Sequence, residues 1–315
     1  MAATQAHKTP PAHQALANIA RDRNKAVAAA VAQRLPPLLL AAERIAATVE
    51  QGVHGRRRTG PGEVFWQYRP YYPGDELKRL DWRASAKSDR LYLRQLEWAA
   101  AQSVYLWCDL SASMDYASHR DLPAKTERAQ ILVLALASVL TRAGERVGLL
   151  GQPEPPSAGR NVTERLAERL FIGARDPASA ASLPPPAQLP AHSHVLLIGD
   201  FLSPLDELRN VIARFASRNI HGHLLQVLDP AEKTMPFTGR VRFLGLEQEG
   251  DLLLMSRAEA IRAQYLERLA AHQGALRNLA RHAGWSMTVH VTDSAPAPAV
   301  LALYQWLAAD RRLRR

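Results

Sequence analysis

The sequence is poor in residues that form covalent or metal cross-links. Only one of its 315 residues, Cys108, is a cysteine, which excludes an internal disulfide and any zinc or iron–sulfur site built from cysteines. Long apolar runs are also missing, because the longest, Ile131 to Leu140, has about half the length of a membrane-spanning helix. No Walker A motif occurs, so the sequence offers no ATPase site of that kind.

These absences lead to an expectation about location. The first residues, MAATQAHKTPPAHQ, lack an apolar segment followed by a small-residue cleavage site. A single cysteine is typical of a reducing compartment. We therefore expect a cytoplasmic protein without a transmembrane segment, in which residues 1–14 form a disordered tail.

The sequence has an excess of positive charge, concentrated near its start. The net charge is +10, and residues 1–100 carry 16 basic and 9 acidic side chains. Basic residues interleaved with Trp and Tyr can bind nucleic acid, but no helix–turn–helix or RNA-binding signature accompanies them, so we expect no nucleic-acid partner. Arg56, Arg57 and Arg58 lie between glycines and are predicted to face solvent, where they suit phosphate or an acidic protein surface.

Apolar strands and helices alternate from about residue 103 onward. Predicted strands lie at 104–110, 146–151, 194–200, 223–229 and 285–291, and predicted helices at about 124–142, 204–218, 257–283 and 298–311. This alternation predicts an α/β fold with a doubly wound, mostly parallel sheet. The chain is predicted to comprise the tail 1–14, N-terminal helices with a small strand-rich subdomain over 15–99, and an α/β domain over 100–311.

Two of the predicted strands end in aspartate. Asp109 ends the first and is followed by Ser111 and Ser113, and Asp200 ends a strand expected to lie beside it. In such a sheet ligands bind outside the carboxyl ends of the strands, where the strand order reverses. Carboxylates and hydroxyls form a hard-oxygen site that suits Mg²⁺ or Mn²⁺. The alternative is that the aspartate and the serines cap a helix N-terminus.

Two segments carry a resemblance to known families. D-x-S-x-S-M after an apolar strand, with a later strand ending in Asp, resembles the metal-ion-dependent adhesion site (MIDAS) of von Willebrand factor A domains. Residues 60–97, GPGEVFWQYRPYYPGDELKRLDWRASAKSDRLYLRQLE, resemble the signature of the bacterial domain-of-unknown-function family 58. Together the resemblance covers roughly residues 38–310, and it implies a von Willebrand factor A-like domain.

The resemblance implies a binding protein without catalytic residues. In A-type domains hydroxyls like those of Ser111 and Ser113 contact the metal directly, the two aspartates act largely through water, and a partner's Glu or Asp completes the shell. Relatives are typically encoded beside MoxR-type AAA ATPases, which implies chaperone-like assembly or activation of a client protein. Many relatives carry N-terminal membrane spans, and a soluble variant is expected here.

The adhesion motif normally also includes a threonine that lies between the two aspartates in sequence. Thr163 is in that interval and is the candidate for the remaining ligand. Asn161 and Glu164 form a capping-box pattern around it, which favours Thr163 as a residue of the first turn of a helix. The metal site is therefore predicted from four residues, with Thr163 as a fifth.

The signature segment suggests a second surface. Arg69, Asp75 and Arg79, together with the arginine run at 56–58, are candidates for docking a partner. The alternative is that they fix a small strand-rich subdomain to the sheet, since aromatics in short strands usually form core.

Two other functions stay open at this point. One is a metal-free structural scaffold. The other is a metal-dependent hydrolase that uses Asp109 and Asp200, although neither serine lies in a G-x-S-x-G motif.

Overall fold

The computed structural model describes residues 35–51, 64–72, 80–87, 90–97, 101–159, 161–174, 181–244 and 252–313. The helices are α1 (35–51), α2 (Trp82–Ser85), α3 (Lys125–Arg142), α4 (Val162–Gly173), α5 (Leu205–Ala216), α6 (Pro230–Thr234), α7 (Ala258–His282) and α8 (Pro296–Leu313). The strands are β1 (Val64–Pro70), β2 (Tyr92–Glu97), β3 (Ser103–Cys108), β4 (Arg146–Leu149), β5 (His194–Gly199), β6 (His221–Leu228), β7 (Val241–Leu244), β8 (Leu252–Met255) and β9 (Ser286–Val291).

The central sheet has five parallel strands in the order β4-β3-β5-β6-β9. All six residues of β5 are buried, and so are five of the six in β3. Strands that are covered on both faces read as continuous apolar runs, as VYLWC and HVLLIG do. The predicted α/β fold with a mostly parallel sheet is confirmed. Two antiparallel pairs, β1–β2 and β7–β8, lie outside this sheet.

The sheet has a hydrophobic core on each face. Residues of α1, α3, α4 and α8 form one core, and residues of α5 and α7 form the other. Helix α3 is buried along almost its whole length after its first turn, because its sequence ILVLALASVL is apolar on nearly every side. The carboxyl ends of the strands are therefore held by well-packed elements on both faces.

Helix α1 packs against α3. Ala42, Ala46 and Val49 recur at helical spacing and join the core that contains α3. Ser138 of α3 donates a 2.7 Å hydrogen bond to Glu43 Oε1, and Arg142 pairs with Glu43 as well. We expected this helix to belong to the N-terminal segment 15–99. In the structure it packs against α3, which is part of the α/β domain.

The signature segment contains a two-stranded sheet. β1 and β2 pair antiparallel, with an irregularity between Phe65 and Gln67. The Ser85 hydroxyl donates to the Asp81 carbonyl (2.8 Å) and accepts the backbone N–H of Tyr92 (2.9 Å), which ties α2 to β2. The strands predicted here are therefore present.

Candidate binding site at the carboxyl edge of the sheet

Three neighbouring strands, β3, β5 and β6, are each followed directly by an aspartate: Asp109, Asp200 and Asp229. β3 lies between β4 and β5, so the strand order reverses at its carboxyl end. The backbone N–H of Asp109 donates to the carbonyl of Ile198 at 2.8 Å. A Cβ on Gly199 would stand 2.8 Å from Asp109 Cβ, so a glycine is needed for this close approach. The prediction that the two aspartate-ended strands are neighbours is confirmed.

The loop after β3 brings together the first three predicted ligands. Asp109 Oδ1 accepts the backbone N–H of Ser111 at 2.9 Å, which closes an Asx turn. The hydroxyls of Ser111 and Ser113 lie 3.1 Å apart and hydrogen bond to each other. Asp109 and Ser111 are buried and Ser113 is half-buried. Asp109 thus accepts a hydrogen bond from a local backbone N–H, as the capping alternative predicts. Ser111 is the N-cap residue of the 3₁₀ helix Ala112–Met114, but its side chain makes no capping hydrogen bond.

The two hydroxyls are spaced as ligands of one small cation would be. Mg²⁺ holds oxygens at about 2.0–2.1 Å in an octahedron, which puts neighbouring ligands about 3 Å apart. The observed 3.1 Å between Ser111 Oγ and Ser113 Oγ matches that separation. The spacing of these two hydroxyls is therefore compatible with a shared small cation, and it is equally that of the hydrogen bond between them.

Asp200 differs from Asp109 because its carboxylate forms an ion pair with a buried lysine. Lys125, the first residue of α3, is fully buried, and its Nζ lies 3.0 Å from Asp200 Oδ2 and 2.6 Å from Glu232 Oε1. The other oxygen of Asp200 accepts the backbone N–H of Leu202 at 3.3 Å. In this structure a protein ammonium group thus holds the place at Asp200 where the sequence predicted a metal.

The charges of this cluster depend on one another. Burial lowers the pKa of Lys125, but its ion pairs with Asp200 and Glu232 outweigh that effect and leave the pKa above the usual lysine range. Burial raises the pKa of Glu232, and Lys125 offsets only part of this increase. Burial also raises the pKa of the nearby Tyr265 phenol, to about 12. Lys125 is therefore a charged ammonium group inside the protein.

The backbone after Asp200 is strained and firmly held. Phe201 is buried and has φ +53°, an uncommon conformation for a residue other than glycine. His272 Nε2 lies 2.8 Å from the carbonyl of Phe201, and because a carbonyl only accepts, Nε2 carries the hydrogen. Gln226 donates to the carbonyl of Asp200 at 2.9 Å. Held strain of this kind clusters at functional sites.

The structure does not bring Thr163 to this cluster. The last residue of α4, Gly173, lies close to the loop after β3. A Cβ added to Gly173 would stand 2.8 Å from Leu110 Cδ1, and Leu110 directly follows Asp109 in the sequence. Thr163 lies ten residues earlier in the helix, about 15 Å away along its axis at 1.5 Å per residue. It is a first-turn residue, as the alternative predicted, although the N-cap Asn161 makes no side-chain cap. This position does not favour Thr163 as a fifth ligand, and that assignment stays a prediction.

Two large apolar side chains are exposed at the same edge. Leu202 lies two residues after Asp200 and is 50% exposed. Ile172 is also 50% exposed, and it precedes Gly173, the residue of α4 that lies beside Leu110. Exposed apolar groups beside polar ones are typical of protein-interaction sites when they form a patch.

Within the described residues, no group of three or more His, Cys, Asp and Glu side chains is arranged to hold a metal ion. A metal at Asp109 would therefore depend on the hydroxyls of Ser111 and Ser113. The second predicted surface lies outside the described part of the chain: Arg56, Arg57, Arg58, Asp75 and Arg79 are not among the described residues, and Arg69 is described only as a backbone position of β1 opposite Leu93.

The comparison with protein families gives a match over most of the chain. The model described as "Protein of unknown function DUF58" matches residues 67–275. The chain belongs to the DUF58 family. The matched DUF58 region begins within β1 and extends into α7, so it contains Asp109, Lys125 and Asp200.

Several proteins and solved structures are similar to this DUF58 chain. Uncharacterized protein Rv1480 of Mycobacterium tuberculosis is 25% identical over 282 residues, covering 82% of this chain and 86% of its own length. An aerotolerance-related membrane protein from Bacteroides fragilis, solved with multiple mutations to serine, is 17% identical, with a TM-score of 0.39 over 65% of this chain and 98% of its own. BatB from Bacteroides thetaiotaomicron is 14% identical, with a TM-score of 0.37 over 66% of this chain and 100% of its own.

These comparisons correct the predicted location. We expected a cytoplasmic protein, but a similar solved structure is described as that of a membrane protein, so the cytoplasmic assignment is withdrawn. Among the residues that the structure describes, no helix is both long and apolar enough to cross a bilayer.

Sequence reasoning missed three residues of the cluster at this edge of the DUF58 chain: Lys125, Asp229 and Glu232. Asp229 ends a buried strand in the same way as Asp109 and Asp200, so that signal was present in HLLQVLD. D-P-A-E is a capping-box pattern, and the structure contains the box. Nothing in the sequence marks Lys125, because a lysine in the first turn of a helix normally faces water.

Proposed function

We propose that this DUF58 chain is a non-catalytic protein-binding module with a von Willebrand factor A-like domain. Its docking surface is the carboxyl edge of the parallel sheet, and it works with a MoxR-type AAA ATPase in chaperone-like assembly or activation of a client protein. The observation that carries the proposal is the convergence of Asp109, Ser111 and Ser113 at the point where the strand order reverses.

The surroundings of these oxygens favour a protein as the ligand. Leu202 and Ile172 expose apolar surface beside the polar cluster, and protein interfaces combine apolar anchors with polar groups in this way. A cavity of about 440 Å³ lies elsewhere, lined by Pro184, Pro185 and Pro186, by Phe215 near the end of α5, and by Arg218 in the turn after it. The exposed Leu202 and Ile172 side chains therefore favour a client or ATPase loop as the ligand of this edge.

Asp109, Ser111 and Ser113 are the residues that would hold Mg²⁺ or Mn²⁺ at this edge. A bound divalent ion would supply positive charge for a partner's Glu or Asp. Asp109 lies in a buried Asx turn, and Ser113 is the most accessible of the three. Without a metal, these three side chains would still offer hydroxyl and carboxylate oxygens to the backbone and polar groups of a partner.

A metal-free scaffold is the second candidate, and the ion pair between Lys125 and Asp200 favours it. The hydrolase alternative is weaker, because Asp200, one of the two aspartates that it would use, is paired with the Lys125 ammonium group at 3.0 Å.

The affinity of the full chain for a MoxR-type ATPase of the same organism tests the proposal. Binding is measured by biolayer interferometry with ATP and with ADP, for the wild type and for Leu202→Asp. The matched control is Leu40→Asp, since Leu40 on α1 is 53% exposed and Leu202 is 50% exposed.

We expect Leu202→Asp to weaken binding at least tenfold and Leu40→Asp to leave it unchanged. No association of the wild type with either nucleotide, or equal losses in the two variants, would contradict the proposal.

A further inference from the structure

The cluster around Lys125 joins three elements through one ammonium group. Lys125 begins α3, Asp200 follows β5, and Glu232 lies in α6. The ammonium is within 3.0 Å of one oxygen of each carboxylate, and the lysine side chain has no exposed surface. Lysines are almost never fully buried unless they are paired.

Each carboxylate uses its second oxygen on the backbone. Glu232 Oε2 accepts the N–H of Asp229 at 2.8 Å, and Asp200 Oδ1 accepts the N–H of Leu202 at 3.3 Å. Asp229 in turn accepts the N–H of Ala231 at 2.7 Å. Both carboxylates are therefore oriented toward Nζ before any ligand arrives.

The elements that hold these carboxylates are themselves fixed. Gln226 donates to the Asp200 carbonyl and is contacted by Gln273 at 3.0 Å. The Tyr265 hydroxyl donates to the Glu232 carbonyl at 2.7 Å. Two converging carboxylates in a rigid, buried setting resemble a cation site that a protein ammonium already fills.

From this geometry we infer that Lys125 is a built-in counter-ion that takes the place of a divalent cation at Asp200. Asp200 consequently takes no part in metal binding, and removal of the lysine charge exposes a metal site formed by Asp200 and Glu232. Divalent cations prefer carboxylate oxygens, and the buried ammonium repels a second cation from the same oxygens. This inference concerns the chain alone and stands whether or not the edge docks an ATPase.

The test is titration of the full chain with Mn²⁺, followed by the electron paramagnetic resonance signal of free Mn²⁺. The variants are Lys125→Met, which keeps an unbranched side chain one atom shorter and removes its charge, and Lys125→Met combined with Asp200→Asn. The matched control is Lys233→Met, because Lys233 is the neighbouring exposed lysine of α6.

We expect Lys125→Met to bind Mn²⁺ at least tenfold more tightly than the wild type, and the added Asp200→Asn to remove that gain. Lys233→Met should behave like the wild type. A folded Lys125→Met that gains no Mn²⁺ affinity would overturn the inference, because a merely structural lysine predicts loss of stability without new metal binding.

Asp200→Asn in the wild-type background gives an independent answer if Lys125→Met does not fold. We expect the wild-type response to Mn²⁺ to be unchanged by this substitution. A tenfold or greater loss of Mn²⁺ affinity would show that Asp200 binds metal in the presence of Lys125 and would overturn the inference. The metal alone is the probe, so failure to bind an ATPase does not affect the result.

Discussion

His223 shows how a single buried side chain links stability to pH. Its ring nitrogens lie 2.7 Å from Ser286 Oγ and 2.8 Å from Thr288 Oγ1, so β9 supplies two hydroxyl partners to a histidine of β6. Burial lowers the pKa of His223 to about 4. Burial also lowers the pKa of His290 to about 4, with a further contribution from Arg128. Both rings are therefore neutral in the folded protein near pH 7.

We predict that the free energy of unfolding falls as the pH is lowered from 6.5 to 4. In that range the unfolded chain protonates its histidines while folded His223 stays neutral, and a shift of this size corresponds to about 3 kcal/mol at its limit. Urea unfolding of His223→Gln should show a shallower pH dependence than the wild type. His119→Gln is the control, because the His119 side chain is 62% exposed. Equal slopes for His223→Gln and the wild type would contradict this account.

The residues of the site differ in how far sequence alone could predict them. Asp109, Ser111 and Ser113 lie close in sequence after an apolar strand, so their proximity follows from one local turn. The pairing of Lys125 with Asp200 joins positions 75 residues apart and depends on how α3 packs over the sheet. Such a contact leaves no local pattern, and this is why the sequence did not predict the lysine that pairs with Asp200.

At the scale of elements, the packing of β6 against the turn before β9 depends on a glycine. A Cβ on Gly222 would lie 2.2 Å from the ring of Trp285, which is buried and donates its Nε1–H to the carbonyl of Ile220 at 3.1 Å. Gly274, within α7, has nothing within 4 Å of such a Cβ. An added methyl group would therefore clash with a buried ring at Gly222, whereas at Gly274 there is room for it.

We predict that Gly222→Ala and Gly274→Ala change stability in opposite directions. Gly222→Ala should lower the free energy of unfolding by about 2 kcal/mol or more, because the indole must shift in a packed core. Gly274→Ala should raise it by about 0.5–1 kcal/mol, since alanine is the better residue in a helix interior. Chemical denaturation measures both, and a stabilised Gly222→Ala would contradict the observed packing.

At the scale of the whole molecule, the parallel sheet was predictable and some of its attachments were not. Strands buried on both faces leave continuous apolar runs, and these alternate with helices along the chain. Helix α1 falls within the N-terminal segment 15–99 of the predicted domain division. Its alanines meet α3 through tertiary packing, and alanine periodicity does not reveal which helix will be the partner.

The sheet gives the molecule two distinct edges. The carboxyl edge carries Asp109, Ser113 and Leu202, whereas the opposite edge contains the turns at 143–146 and 217–221. The proposed function therefore implies partner binding at the carboxyl edge of the described residues and none at the opposite edge.

Amide hydrogen exchange of the chain, free and bound to a MoxR-type ATPase, tests this central claim most directly. The account predicts slower exchange on binding in residues 110–116 and 201–205, at the carboxyl edge, with unchanged exchange in residues 143–146 and 217–221. Protection confined to the opposite edge, or equal exchange in the free and bound chain throughout 110–116 and 201–205, would contradict it.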